Sequence, residues 1–271
     1  PALVHLLQCR AGATPCSSDA FKVWSDGALR WTAEDDTQLQ RIRAVTARYA
    51  IEASFRDDPG PALGRPIHCV NGWSAQDQIR VASWDASSPT ELQVHLGRIM
   101  KPVDAAAYAS AVAHFWPRYR DAVAPLLRPL EGRAHELDGL VRSRAVEAVM
   151  AQAAAFYAVP LPSAWRIRVH LVPRPRLPHE QDLPSTSSMV ENHAMVEVDP
   201  RSPPADGVDV VLHEVFHAFN EQRTPAQHAE ILQAFLGTGD PDALGLYDIM
   251  DEVLAAALGN GLVLEAVKGT A

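Results

Sequence analysis

The chain has 271 residues, 47% of them apolar, enough for one large domain or two modest ones with a real core. Its net charge of −9 speaks against a nucleic-acid surface, which needs basic residues to displace counterions from phosphate. No apolar run reaches the ~20 residues that span a bilayer, so no membrane span is expected.

The sequence starts at Pro1, and no charged-then-apolar leader follows. Cys9 and Cys16 lie close together and Cys69 far off, so a bridge between any two leaves one thiol over. A disulfide suits an oxidising compartment, and the expectation is a periplasmic or secreted protein. Three unbridged, small apolar residues are the competing reading. No Cys pair has zinc-finger spacing.

In chain order, "AFKVWSDGALRWT" (20–32) reads as a hairpin, two short runs around Ser-Asp-Gly. "EDDTQLQRIRAVTARYAIEASF" has helical spacing and an acidic first turn. "RDDPGPALGRP" is a loop, and "QIRVASW" and "ELQVHLGRIM" read as strands. From Val103 to Tyr157 the alanine- and leucine-rich chain predicts two or three helices broken at Pro117, Pro125 and Pro129, the last over 140–158. "WRIRVHLVP" is a strand, "RPRLPHEQDLPSTSSMVEN" a long polar loop, and "HAMVEVDP" a second strand. Helical segments follow "RSPPADG" and end near Gly259. The expected architecture is α+β, with a mixed, largely helical region over 1–159 and a metal-binding region with a small sheet over 160–271.

The informative stretch is "VVLHEVFHAF" (210–219). Residues four apart on a helix lie about 40° apart, so His213 and His217 share a face. Leu212, Val215, Phe216 and Phe219 form an apolar stripe that anchors the helix and lets the imidazoles face a cleft. Two imidazoles so placed can bind one tetrahedral Zn²⁺ at about 2.0–2.1 Å. Glu214, one residue on, points beside the metal, where a general base for zinc-activated water must sit. Asn220 falls on the histidine flank. A catalytic zinc takes a third protein ligand. "LYDIMDEVLAAALGNG" (246–261) offers Asp248, Asp251 and Glu252, with Leu246, Ile249, Val253 and Ala257 as its apolar stripe. Glu252 lies nearer that stripe than Asp251, and Asp248 is placed to accept from an imidazole N–H. A solvated helix face bearing two histidines is the competing reading.

These residues resemble the zincin metallopeptidases, and within them the gluzincin type. "HEVFH" matches the first element of that pattern and "DEVLAAALGN" looks like the second. The resemblance covers roughly the last third of the chain, from His193 to Gly261, and implies His213, His217 and Glu252 as zinc ligands with Glu214 as base. It further implies that an edge strand before the motif helix binds extended peptide, which points to "HAMVEV" with His193 and Met195. For the oxyanion, Tyr247, His228, His193 and Tyr157 are available, and Tyr247 is nearest to the ligand helix. Where many gluzincins carry an acidic residue four after the glutamate, this chain has Ala256.

The expectation is therefore a zinc-dependent peptidase with a peptide or protein substrate. Two alternatives stand beside it: a zincin-like binding protein without turnover, and a metal-dependent hydrolase of a non-peptide amide. His5, His68, His95, His114, His135, His170 and His179 show no ligand spacing and are read as structural.

Overall fold

In the computed structural model, which describes residues 2–12, 18–49, 75–159, 166–177, 186–190, 192–199 and 205–269, helices surround one small sheet. The first part is helical: α1 (Ala2–Ala11), α2 (Ser18–Ala28), α3 (Ala33–Arg48), α4 (Ala75–Trp84), α5 (Pro89–Leu96), α6 (Pro102–Val141) and α7 (Arg144–Tyr157). The expected hairpin over 20–32 is helix α2, because Phe21, Ser25 and Leu29 are buried at helical spacing and Ser-Asp-Gly lies in its last turns. The two expected strands after residue 77 are helices α4 and α5. Ser88 caps α5, accepting from the Glu91 N–H, with Pro89 in the first turn and Leu92 and Leu96 buried one turn apart.

Helix α6 runs unbroken for 40 residues through Pro117, Pro125 and Pro129, where breaks were expected. A buried stripe of Tyr108, Val112, Phe115, Tyr119, Val123, Leu130 and Leu137 holds it along its length. That packing outweighs the roughly 3 kcal/mol each interior proline costs. Cys9 is buried, whereas Cys16, Cys69 and the loop "RDDPGPALGRP" lie outside the described residues.

The sheet contains β1 (Arg168–Pro173), β2 (Ser187–Val190) and β3 (His193–Val198) in the order β1-β3-β2. β1 runs parallel to β3, and β2 antiparallel to it. β3 is therefore the central strand and not the expected edge, while β2 forms an edge within what was read as loop. Alternation along β3 divides its side chains between two layers. Met195 packs in the core of α1–α6, with Val172 and Val190 from the flanking strands, and Ala194 and Val196 pack on Val211. The boundary expected near residue 160 falls among residues not described, and sheet side chains share the N-terminal helices' core.

Beyond the sheet lie α8 (Ala205–Glu221), α9 (Pro225–Gly237), α10 (Ala243–Ala255), a π-helical segment (Ala256–Val263) and α11 (Leu264–Lys268). The expected stop at Gly259 is thus a widened turn inside a continuing helix. The stripe expected on α10 is also turned outward, with Leu246, Ile249 and Val253 exposed; Ala243 and Ala255 are buried instead. Among the described residues, no helix is long and apolar enough to cross a membrane.

Candidate metal centre

Helix α8 carries the motif, held by Leu212, Val215, Phe216 and Phe219, which pack with Val146, Ala153 and Tyr157 of α7 and with Ala255 and Val263. A cleft of about 470 Å³ opens on its polar flank. Its walls are β2 with Thr186, α8, Asp251 and Glu252 of α10, and Asn260 of the π-helical segment.

The two imidazoles are fixed from behind. His217 Nδ1 donates to Asp251 Oδ2 at 2.8 Å. His213 Nδ1 donates to Asn260 Oδ1 at 3.0 Å, and Asn260 Nδ2 donates to Asp209 Oδ2 at 3.3 Å, which sets the orientation of that amide. Both Nδ1 atoms therefore carry protons, and each ring, when neutral, presents Nε2 as an acceptor. Those two lone pairs face each other at 3.0 Å. Glu252 reaches the same point, with Oε1 3.3 Å from His213 Nε2 and Oε2 3.4 Å from His217 Nε2. Donors about 2.0–2.1 Å from a tetrahedral ion stand about 3.3 Å apart, so this donor set fits zinc. Without a cation, a proton must separate the two nitrogens. Burial lowers the His217 pKa, but the Asp251 hydrogen bond and the charges of Asp251, Glu214 and Glu252 raise it overall.

Glu214 is buried beside this point. Ser187 Oγ on β2 donates to its Oε1 at 2.5 Å, which leaves Oε2 for a proton. Burial raises the Glu214 pKa, and the Ser187 hydrogen bond and the histidines counteract the rise without cancelling it. Glu221, one turn beyond His217, also lines the cleft; burial and then the Asp251 charge push its pKa up to about 7.

Gly259 brings the π-helical segment against α8. A Cβ there would lie 2.7 Å from the His213 Cα and backbone nitrogen, so no side chain fits without backbone movement. The close approach places Asn260 at the imidazole. A π-type turn inserted in a helix is a frequent feature of functional sites.

Other expected residues lie elsewhere. Asp248 is exposed on α10, and Asp251 makes the imidazole contact expected of it. Asn220 Oδ1 accepts from Arg223 Nη1 at 2.6 Å instead of bracing a histidine. The Tyr247 hydroxyl lies 3.4 Å from His228 Nδ1, and Tyr157 is buried under the Arg223 guanidinium; neither tyrosine is among the described lining residues. Met195 is in the core, and His193 stacks on His170, away from the cleft that both were expected to line. Ser187 and Asn260, which sequence reading missed, contact motif residues 27 and 47 positions away, so no local pattern marks them.

Among the described residues, three groups of ligand-type side chains have donor atoms within 4.8 Å of one another: His213, Glu214 and His217 of the cleft; His5, Cys9 and Glu197; and Asp85, His170 and His193. The His5 group is fully buried, with His5 Nε2 2.8 Å from Glu197 Oε1. In the Asp85 group, burial and then the neighbouring imidazole pull the His170 pKa down to about 4, and burial lowers that of His193. No family model, curated protein or solved structure matches this chain.

Proposed function

We propose that this chain is a zinc-dependent peptidase of zincin type, with His213, His217 and Glu252 as metal ligands and Glu214 as general base. The observation that carries this reading is the convergence of the two Nε2 atoms and the Glu252 carboxylate on one point beside a buried glutamate. When bound, zinc supplies polarisation of a carbonyl and acidification of water towards a pKa of ~7. Asp251 and Asn260 orient the two imidazoles. Glu214 takes the proton of the attacking water at Oε2 and passes it to the leaving amine, while Ser187 holds Oε1. The β2 edge beside the cleft offers main-chain hydrogen bonds to an extended peptide, the role earlier expected of β3.

The test is zinc content and peptide hydrolysis in the wild type, Glu252→Ala and Glu214→Gln. Expected are one equivalent of zinc in this site, much less in Glu252→Ala, and zinc retained in Glu214→Gln with hydrolysis down by ~10²–10⁴. Full hydrolysis by zinc-loaded Glu214→Gln refutes the mechanism. Turnover of a non-peptide amide, with none of any peptide in a broad library, would favour the related amide-hydrolase reading.

A second reading is favoured by Leu246, Ile249 and Val253, exposed on one face of α10. Contiguous apolar surface marks interaction sites, and this reading is a zincin-like binding protein that docks a partner there without turnover. Chelator-sensitive peptide cleavage restored by zinc removes it.

A further inference from the structure

The side chains that β3 turns towards the N-terminal helices include polar ones at both ends of the strand. Glu197 meets His5 of α1, and His193 meets Asp85, the residue after α4. The second meeting point draws on three separate parts of the fold. His193 Nδ1 lies 3.2 Å from His170 Nε2 on β1 and 3.6 Å from Asp85 Oδ1, and the two rings are within 8° of parallel.

Without a cation, His170 Nε2 and His193 Nδ1 share one N–H···N hydrogen bond; with one, both nitrogens can turn a lone pair to it. The 3.6 Å separation from Asp85 is beyond hydrogen-bond distance. Arg168 donates to Asp85 Oδ1, which holds the carboxylate in place beside the imidazoles.

We propose that Asp85, His170 and His193 form a second divalent transition-metal site, separate from the HEVFH motif. Neighbouring donors about 2.0–2.2 Å from zinc stand about 3–3.6 Å apart; His193 Nδ1 has this separation from both His170 Nε2 and Asp85 Oδ1, and all three donors lie within 4.8 Å of one another. Two imidazoles and a carboxylate are ligands that zinc accepts, and His170 and Asp85 are only half-buried, which leaves room for water at a further position. The site fastens the end of α4 to the two parallel strands. It sits on the sheet layer opposite α8, so its ion is structural for the domain and takes no part in the cleft's chemistry.

The test is Zn²⁺ binding by equilibrium dialysis, and Co²⁺ binding by visible absorption, in full-length His213→Ala/His217→Ala protein. With the motif site removed, one equivalent of metal is expected to remain. Adding Asp85→Asn or His170→Gln is expected to weaken it at least about tenfold and to abolish the Co²⁺ band, with the circular dichroism of the apo-protein unchanged. These conservative changes at half-buried positions are used because loss of His193 could disturb the core. No metal bound by the folded motif variant overturns the proposal. So does an equivalent that persists unweakened in both added variants, which would assign it to His5, Cys9 and Glu197. None of these outcomes depends on whether the chain hydrolyses peptides.

Discussion

His217 Nδ1 and Asp251 Oδ2 are 2.8 Å apart, on helices 34 residues distant in sequence. The bond fixes the imidazole tautomer and turns Nε2 towards Glu252, the neighbour of Asp251 on α10. Consecutive helical residues point about 100° apart, so one helix supplies both the orienting carboxylate and the proposed direct ligand. Asp251→Ala is expected to lower zinc affinity 10–100-fold, the usual cost of losing a partner behind a metal-binding histidine. Competition against a chromophoric chelator measures it; unchanged affinity would mean that Asp251 has no part in the site.

Ser187 sets the acid limb of the proposed reaction. Its hydroxyl lowers the Glu214 pKa against the rise caused by burial. A base works only when ionised, so Ser187→Ala should raise that pKa and move the acid limb of kcat/KM to higher pH. The alkaline limb should stay in place. A pH–rate profile of zinc-loaded wild type and variant checks this, and an acid limb that stays put or moves down contradicts the assignment of Glu214.

What the sequence made legible was local. The His213–His217 spacing and the apolar stripe of α8 need only helical geometry, and both lie as expected. The orientation of α10 did not follow from its own periodicity, because Leu246, Ile249 and Val253 face outward and the packing of Ala255 decides the rotation. Helices α2, α4 and α5 were read as strands because short apolar runs fit both periods, and only tertiary burial separates them. The metal-type cluster at Asp85 was illegible for a stronger reason. Its donors come from α4's end and two strands, so His170 and His193 look like isolated residues in sequence.

The N-terminal helices hinge on a second buried carboxylate, Asp35. It accepts from Arg118 Nη1 at 3.0 Å and from the Thr32 N–H at 2.7 Å, and lies 2.7 Å from His114 Nε2. Burial raises its pKa, but the hydrogen bonds from Arg118, His114 and Thr32 prevail and hold it well below the usual carboxylate range. A carboxyl with a depressed folded pKa contributes stability above its unfolded pKa and loses it as pH falls towards the folded one. Stability should therefore decline from about pH 4 downward in the wild type, and this component of the decline should vanish in Asp35→Asn. Asp35→Ala should cost about 1.5–3 kcal/mol at neutral pH, because the half-exposed Arg118 and His114 it leaves behind can take up water. Urea melts between pH 2 and 7, with zinc held constant, read both effects.

Gly259 gives the most local test of how the π-helical segment serves the cleft. An added Cβ meets backbone on α8, 2.7 Å from the His213 Cα, where no side-chain rotation relieves the clash. The segment must move away, and Asn260 moves with it, taking its oxygen from His213 Nδ1. Gly259→Ala should therefore lower zinc affinity and also lower Tm, whereas Asn260→Ala, on an exposed side chain, should lower zinc affinity at little cost in Tm. Metal titration and thermal melts of the two apo-variants separate positioning of the imidazole from packing of the helices. Equal zinc affinity in Gly259→Ala and wild type would show that His213 does not depend on this contact.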